Sequence, residues 1–301
     1  MLKRKRVKPE ISFNRIFWPL YILNGFQSIA YGAMIVLVVP LAHIIWPGDP
    51  ADVHALEMGL LYTILSWSGS ISGLLFGRLI DKYSRKKIII VISLFRGFSM
   101  LILGFAVRGG GVGTWIYFLI LIFIFGFFAG GSWPAINSLS NDVVPRNFRS
   151  RFFGVYQIVL NTTNIIGWLI ATLLFQVGLW RFFFWGIGLF ILIAGLIFAI
   201  HNEEPKRGAQ QEELYHILKD DSIEYDFQID IKMMRKTMLS KTNIVALVEG
   251  IFTCILMSSL NFLILNYVQN PPYNLAPFSI GVFMVVFGLT GGLVGQLGLL
   301  R

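Results

Sequence analysis

Eight long apolar blocks dominate this chain, at residues 16–45, 57–80, 88–107, 113–139, 151–175, 181–200, 243–268 and 276–300. About 20 apolar residues in a helix span the hydrocarbon of a bilayer. Within the blocks the apolar residues run all round the helix rather than along one stripe, so they do not suit soluble amphipathic helices. Only 14% of the residues are charged, whereas a soluble domain carries about a quarter. The pattern predicts an all-α membrane protein of eight spans. Pro19, Pro40 and Pro134 fall inside blocks and are expected to kink them, because neighbouring helices can satisfy the freed carbonyls.

Basic residues set the expected orientation. Of 25 Lys and Arg, 22 fall in the N-terminal segment, in alternate connections, or at Arg301, and only Arg108 and Arg181 lie on the other side. The positive-inside rule then places the N-terminus in the cytoplasm, with the plasma membrane as the expected location. The same clustering explains the formal charge of +9 without nucleic acid as a partner. The basic opening Lys3-Arg4-Lys5-Arg6 precedes an apolar run that lacks a small-residue cleavage site, and reads as the start of an uncleaved span. Cys254 is the single cysteine, sits in an apolar run, and is expected to pack there.

The expected organisation is an N-terminal six-helix unit at 1–200, a polar linker at 201–242 and two further helices at 243–301. In the linker, Leu214, Ile217 and Leu218, then Ile231, Met234 and Leu239, suggest short interfacial helices. Gly59, Gly69 and Gly73 align with Gly281, Gly291 and Gly295, so the eighth block echoes the second.

Charge inside a span is costly and points to function or to a specific partner. Arg96 lies mid-block, and two roles fit it: attracting an anionic headgroup or carboxylate, or bridging helices through carbonyls and amides. Glu249 is the acid inside the seventh block, where it could carry a proton, pair with a cation or snorkel to the interface. Asn24, Gln27 and Tyr31 share a stripe of the first helix. Trp133 and Asn137 in the fourth block, with Gln157, Asn161 and Asn164 in the fifth, add polar groups facing the interior. Amides of this kind line cavities or hydrogen-bond between helices. The four histidines are scattered, no metal cluster or nucleophile elbow occurs, and no enzyme or cofactor is expected.

The connection Gly77-Arg78-Leu79-Ile80-Asp81-Lys82-Tyr83-Ser84-Arg85-Lys86-Lys87 combines a glycine for close helix approach, an aspartate able to cap the next helix or pair with a neighbouring cation, and a basic run. It resembles the G-x-x-x-D-(R/K)-x-(G/S)-R-(R/K)-(R/K) signature between helices two and three of the major facilitator superfamily, with Ser84 where glycine is usual. Asp142-Val143-Val144-Pro145-Arg146 through Arg149-Ser150-Arg151 resembles the family's connection between helices four and five, and Trp180-Arg181-Phe182-Phe183-Phe184 its approach to helix six. Glu204-Pro205-Lys206-Arg207-Gly208 is similar to a sequence of spinster-like members, whose substrates include lysolipids and sphingoid lipids. Those members carry an acid in helix one, where this chain has the amide of Gln27.

The resemblance implies an MFS-type six-helix N-terminal bundle plus the first two helices of a C-terminal bundle, with four more helices expected beyond residue 301. It implies secondary active transport of a small organic or lipid-like solute by rocker-switch alternating access, with H+ or Na+ as coupling ion. Gly77, Asp81, Arg85, Lys86, Asp142 and Arg149 would then form a gate that holds one state, rather than bind cargo. The alternative is a non-transporting or incomplete membrane protein on the same scaffold: a sensor, a fragment, or a half that needs a partner chain.

Overall fold

A computed structural model describes residues 13–205, Arg207 and residues 239–288. Every longer element in that range is helical: α1 (Phe13–Leu37), α2 (Ala42–Ile45), α3 (Ala55–Lys82), α4 (Arg85–Leu103), α5 (Gly111–Ala129), α6 (Ser132–Val143), α7 (Arg149–Gln176), α8 (Trp180–His201), α9 (Lys241–Gln269) and α10 (Pro277–Gly288). The short helices expected in the linker lie outside the described residues, apart from Leu239. So do the basic N-terminus, Gly291 and Gly295.

Each apolar block reappears as helix over most of its described residues, with two refinements. The first block breaks after Leu37, and Pro40 lies in the turn before α2, so it marks an end rather than a kink. The fourth breaks at Gly130-Gly131 into α5 and α6, and Pro134 falls in the first turn of α6, where its missing N–H leaves no bond unmade. Pro19 alone lies well inside its helix, α1. Among the described residues, six helical stretches are long and apolar enough to cross a membrane: Phe17–Leu37, Ala55–Lys82, Gly111–Val143, Arg146–Gln176, Trp180–His201 and Lys241–Gln269. Helix α4 opens on Arg85-Lys86-Lys87 and carries Arg96, but packs against α5 and α8 and runs beside them. The outward faces present large apolar side chains such as Trp67, Ile71, Leu74 and Phe190, a surface that suits lipid.

The closest pairs are α1 with α7 and α4 with α8, followed by α3 with α5. Small residues make these crossings possible. A Cβ on Gly188 of α8 would sit 2.5 Å from the Leu101 backbone nitrogen and 2.8 Å from the Gly97 carbonyl of α4. A Cβ on Gly130 would sit 1.9 Å from the Gly69 carbonyl of α3. Ser72 stitches the same pair, its hydroxyl donating to the Phe127 carbonyl at 2.5 Å. Close backbone approach replaces the hydrophobic drive that lipid removes. Gly188→Val is therefore expected to force α4 and α8 apart and to destabilise the fold by about 1–3 kcal/mol, read as a lowered melting temperature in detergent.

Helix α10 packs on α7, with Gly281 against Thr172 and Trp168. Helix α9 meets α3 and α10, its Phe262 ring lying on Gly59 and 5.8 Å from the Tyr62 ring. Most of α9 is exposed, and Cys254 is exposed with it rather than packed as expected.

Candidate functional site: an arginine cavity and a charged latch

Helices α1, α3, α6 and α7 and the α5–α6 break surround a cavity of about 410 Å³, with Arg96 of α4 at its wall. Asn24, Gln27 and Tyr31 line it, as their shared stripe on α1 implies, and Trp133 lines it from α6. Asn137, Gln157 and Asn161 are half-buried but outside the lining. On α7 the cavity stripe is Tyr156 and Leu160, one residue before the two amides, a rotation of about 100° about the helix. Glu249 lies on the exposed part of α9, away from the cavity.

Serines complete the lining, and the sequence reading passed over them. Ser66 and Ser70 face the cavity from α3, while Ser68 and Ser72, on the other side of the same helix, pack against α5 at Gly126 and Gly130. A serine at every second position of a helix supplies one pair to each face, and that spacing was the available signal. Ser28 hydrogen-bonds the Leu160 carbonyl at 2.8 Å and ties α1 to α7 beside the cavity.

Arg96 is 4% exposed. Its Nη1 donates to Gln27 Oε1 and, at 3.4 Å, to Ser132 Oγ; its Nη2 donates to the Gln27 carbonyl at 3.3 Å. The Phe125 ring centroid lies 4.5 Å from the guanidinium carbon, and the Nε–H has no acceptor among the described residues. Gln27 is held in turn, its amide donating to Ser93 Oγ at 3.1 Å. Arg96 thus bridges α4 to α1 and α6 through neutral acceptors and also borders the cavity, so both roles raised by its sequence position have a structural footing.

The second constellation sits at the basic end of the bundle. Arg85, 2% exposed, pairs with Asp142 through Nη1, donates from Nε to Glu204 Oε1 at 3.0 Å, and donates from Nη2 to the Pro205 carbonyl at 2.8 Å. Glu204 also accepts from the backbone N–H groups of Arg85 at 3.0 Å and Lys86 at 2.7 Å, and from the Ser84 hydroxyl at 2.8 Å. A carboxylate there satisfies the unpaired first-turn donors of α4 and complements its dipole. Arg207 does the converse for α3, donating to the carbonyls of Ile80 at 3.0 Å, Tyr83 at 3.1 Å and Asp81. Two residues beyond α8 therefore clasp both sides of the α3–α4 turn.

The latch differs from its sequence reading in three places. The side-chain cap of α4 is Ser84, whose hydroxyl accepts from the Lys87 N–H at 3.2 Å, while Asp81 lies within α3, where its carbonyl accepts from Arg207. Ser84 can do this because it precedes the helix in a non-helical conformation, and serine in place of glycine gains a role. Beyond its own helix, no described atom lies within 4 Å of a Cβ placed on Gly77, so no other described helix crowds it. Arg149 closes the α6–α7 turn, donating to the carbonyls of Asn141 at 2.7 Å and Val144 at 3.1 Å. At the other end Arg181 donates to the Ala106 carbonyl at 3.2 Å and tethers the α4–α5 turn to α8.

Burial raises the Glu204 carboxyl, but the hydrogen bonds from Lys86, Ser84 and Arg85 outweigh it and bring the group below its ordinary value of 4.5. A lowered folded pKa contributes stability above the unfolded value, and that stability is lost as pH falls through the folded value. Wild type is expected to exceed Glu204→Gln by about 1–2 kcal/mol near neutral pH, and the gap should close below pH 4.5, followed by melting in detergent from pH 7 to 3.

The chain matches the Major Facilitator Superfamily profile over residues 17–300. It is 30% identical over 147 residues to a Na(+), Li(+), K(+)/H(+) antiporter of Planococcus maritimus, covering 47% of this chain and 33% of that protein. It is 27% identical over 135 residues to a multi-drug resistance efflux pump PmrA homolog of Lactococcus lactis subsp. lactis (strain IL1403), covering 45% of this chain and 32% of that protein. The chain spans about a third of the length of these relatives. Among solved structures it is similar to a bacterial homolog of the human lysosomal transporter Spinster in an inward-facing, unoccupied conformation. That likeness has a TM-score of 0.54 and 17% identity, over 65% of this chain and 44% of that one. The occupied conformation gives the same TM-score and identity over 67% and 47%. With the helical order, the multi-pass architecture and the profile match over nearly its whole length, the chain belongs to the Major Facilitator Superfamily.

Proposed function

We propose that this chain is part of a secondary active transporter whose cargo, a small organic solute, occupies the cavity beside Arg96. The observation that carries this reading is the cavity itself, an open, partly polar and partly aromatic space of about 410 Å³ between otherwise apolar helices. Polar groups buried at membrane depth are costly unless they serve a site or a partner. In a rocker-switch cycle the two bundles tilt about such a cavity, and the latch at Arg85, Asp142 and Glu204 would break and re-form as the basic end opens and closes. By the positive-inside rule the basic end faces the cytoplasm, with the plasma membrane as the location.

The relative described as an antiporter supports coupling to an ion gradient. In this chain Glu249, on the exposed part of α9, is the candidate to carry H+ or contact Na+ from within a span. The test is flux in proteoliposomes containing the full chain, with and without a pH gradient, using benzenesulfonate, phenyl phosphate, benzamide and benzyltrimethylammonium as probes. Transport predicts gradient-dependent movement of at least one probe above protein-free vesicles. Equal leakage of all four in both kinds of vesicle would sink the reading.

A further inference from the structure

Among the described residues, the cavity lining carries one charge and no counter-charge. Of its described lining residues, Arg96 is the only one ionised at neutral pH. The carboxylates with described side chains lie elsewhere: Asp49 and Glu57 at one end of the bundle, Asp81, Asp142, Glu203 and Glu204 at the other, and Glu249 on α9. The acceptors that Arg96 has among the described residues, an amide oxygen, a backbone carbonyl and a hydroxyl, are neutral, and its buried Nε–H has none there. A guanidinium so placed is short of negative charge, and its planar fork matches a carboxylate, sulfonate or phosphate. Beside it, Trp133 and Tyr156, with ring centroids 6.0 Å apart, give one wall of the cavity an aromatic surface, while Ser66 and Ser70 offer hydroxyls from α3.

We propose, building on the transporter reading, that the cavity takes organic anions. The anionic group docks on Arg96 near Gln27 and Ser132, and a partly apolar body lies along Trp133 and Tyr156. Cationic cargo is disfavoured at the same place, because it would meet an uncompensated positive charge in a site of low dielectric. The chemistry is common to a free organic acid and to a lipid headgroup, and the test separates these sources.

The full chain in nanodiscs is titrated calorimetrically with benzenesulfonate, phenyl phosphate, benzamide and benzyltrimethylammonium, which share an aromatic body and differ in charge. Both anions are expected to bind at least about tenfold more tightly than the neutral and cationic probes. Water-soluble dihexanoylphosphatidic acid is the lipid arm: tighter binding than phenyl phosphate assigns a lipid headgroup, and weaker binding assigns a free solute. Arg96→Gln should lose the preference. Since that variant also removes bonds that bridge α4 to α1 and α6, Gln27→Glu is the second. It supplies Arg96 with an internal carboxylate, which should preserve or raise the melting temperature while weakening anion binding at least about tenfold. A purely structural Arg96 would leave binding unmoved by Gln27→Glu. Benzamide or benzyltrimethylammonium binding as tightly as the anions, or anions bound equally by Gln27→Glu, overturns the proposal. Loss of anion preference with probe flux intact sinks this inference alone, whereas anion binding without any flux sinks the transporter reading alone.

Discussion

Arg85→Leu is expected to cost about 3–5 kcal/mol, because it strips a guanidinium from two carboxylates at once. Asp142 is 8% exposed and loses its ion-pair partner in a site that water does not reach freely. Glu204 loses the Nε–H bond, and the Pro205 carbonyl loses its donor from Nη2. Removing one side of a buried pair leaves the other charge with less compensation, whereas removing both sides relieves that cost and leaves only the Glu204 and Pro205 bonds to Arg85 unmade. Arg85→Leu combined with Asp142→Leu should therefore recover part of the lost stability. Thermal melting of the three variants in detergent reads the coupling. A double variant as unstable as the sum of the singles would mean that the pair contributes nothing as a pair.

Gln27→Leu should cost about 2–5 kcal/mol by the same logic at the other constellation. Gln27 supplies Arg96 with the nearer of its two side-chain acceptors, and its amide also donates to Ser93. With leucine there, the guanidinium keeps the residue-27 carbonyl and the longer contact to Ser132. The variant should melt well below wild type. Stability within about 0.5 kcal/mol of wild type would show that water or cargo, rather than Gln27, satisfies Arg96.

The helices were legible because each apolar block is long, and Arg96 because a charge inside such a block is conspicuous. The α1 stripe was equally plain, since Asn24, Gln27 and Tyr31 recur at helical spacing and all three reach the cavity. On α7 polarity misled. Gln157 and Asn161 are more polar than Tyr156 and Leu160, yet the register that packs α7 against α1 turns the latter pair inward. No local pattern encodes that register. The latch was legible as a basic turn, but its completion by Glu204 and Arg207 joins residues more than 110 positions apart, and no periodicity reports such a pairing. The Gly130-Gly131 break was hidden for a different reason: the block stays apolar across it, and only the close approach of α3 at Gly69 shows why glycine stands there.

Whether the Arg96 cavity opens to both sides of the membrane can be read with a single thiol. Ser70→Cys, in a background where Cys254→Ser removes the native thiol, places that thiol on the cavity wall of α3. In sealed vesicles containing the full chain, a membrane-impermeant methanethiosulfonate reagent is applied from either face, with and without benzenesulfonate. Alternating access predicts labelling from both faces, slowed by the anion. Labelling from one face only, under every condition, contradicts it.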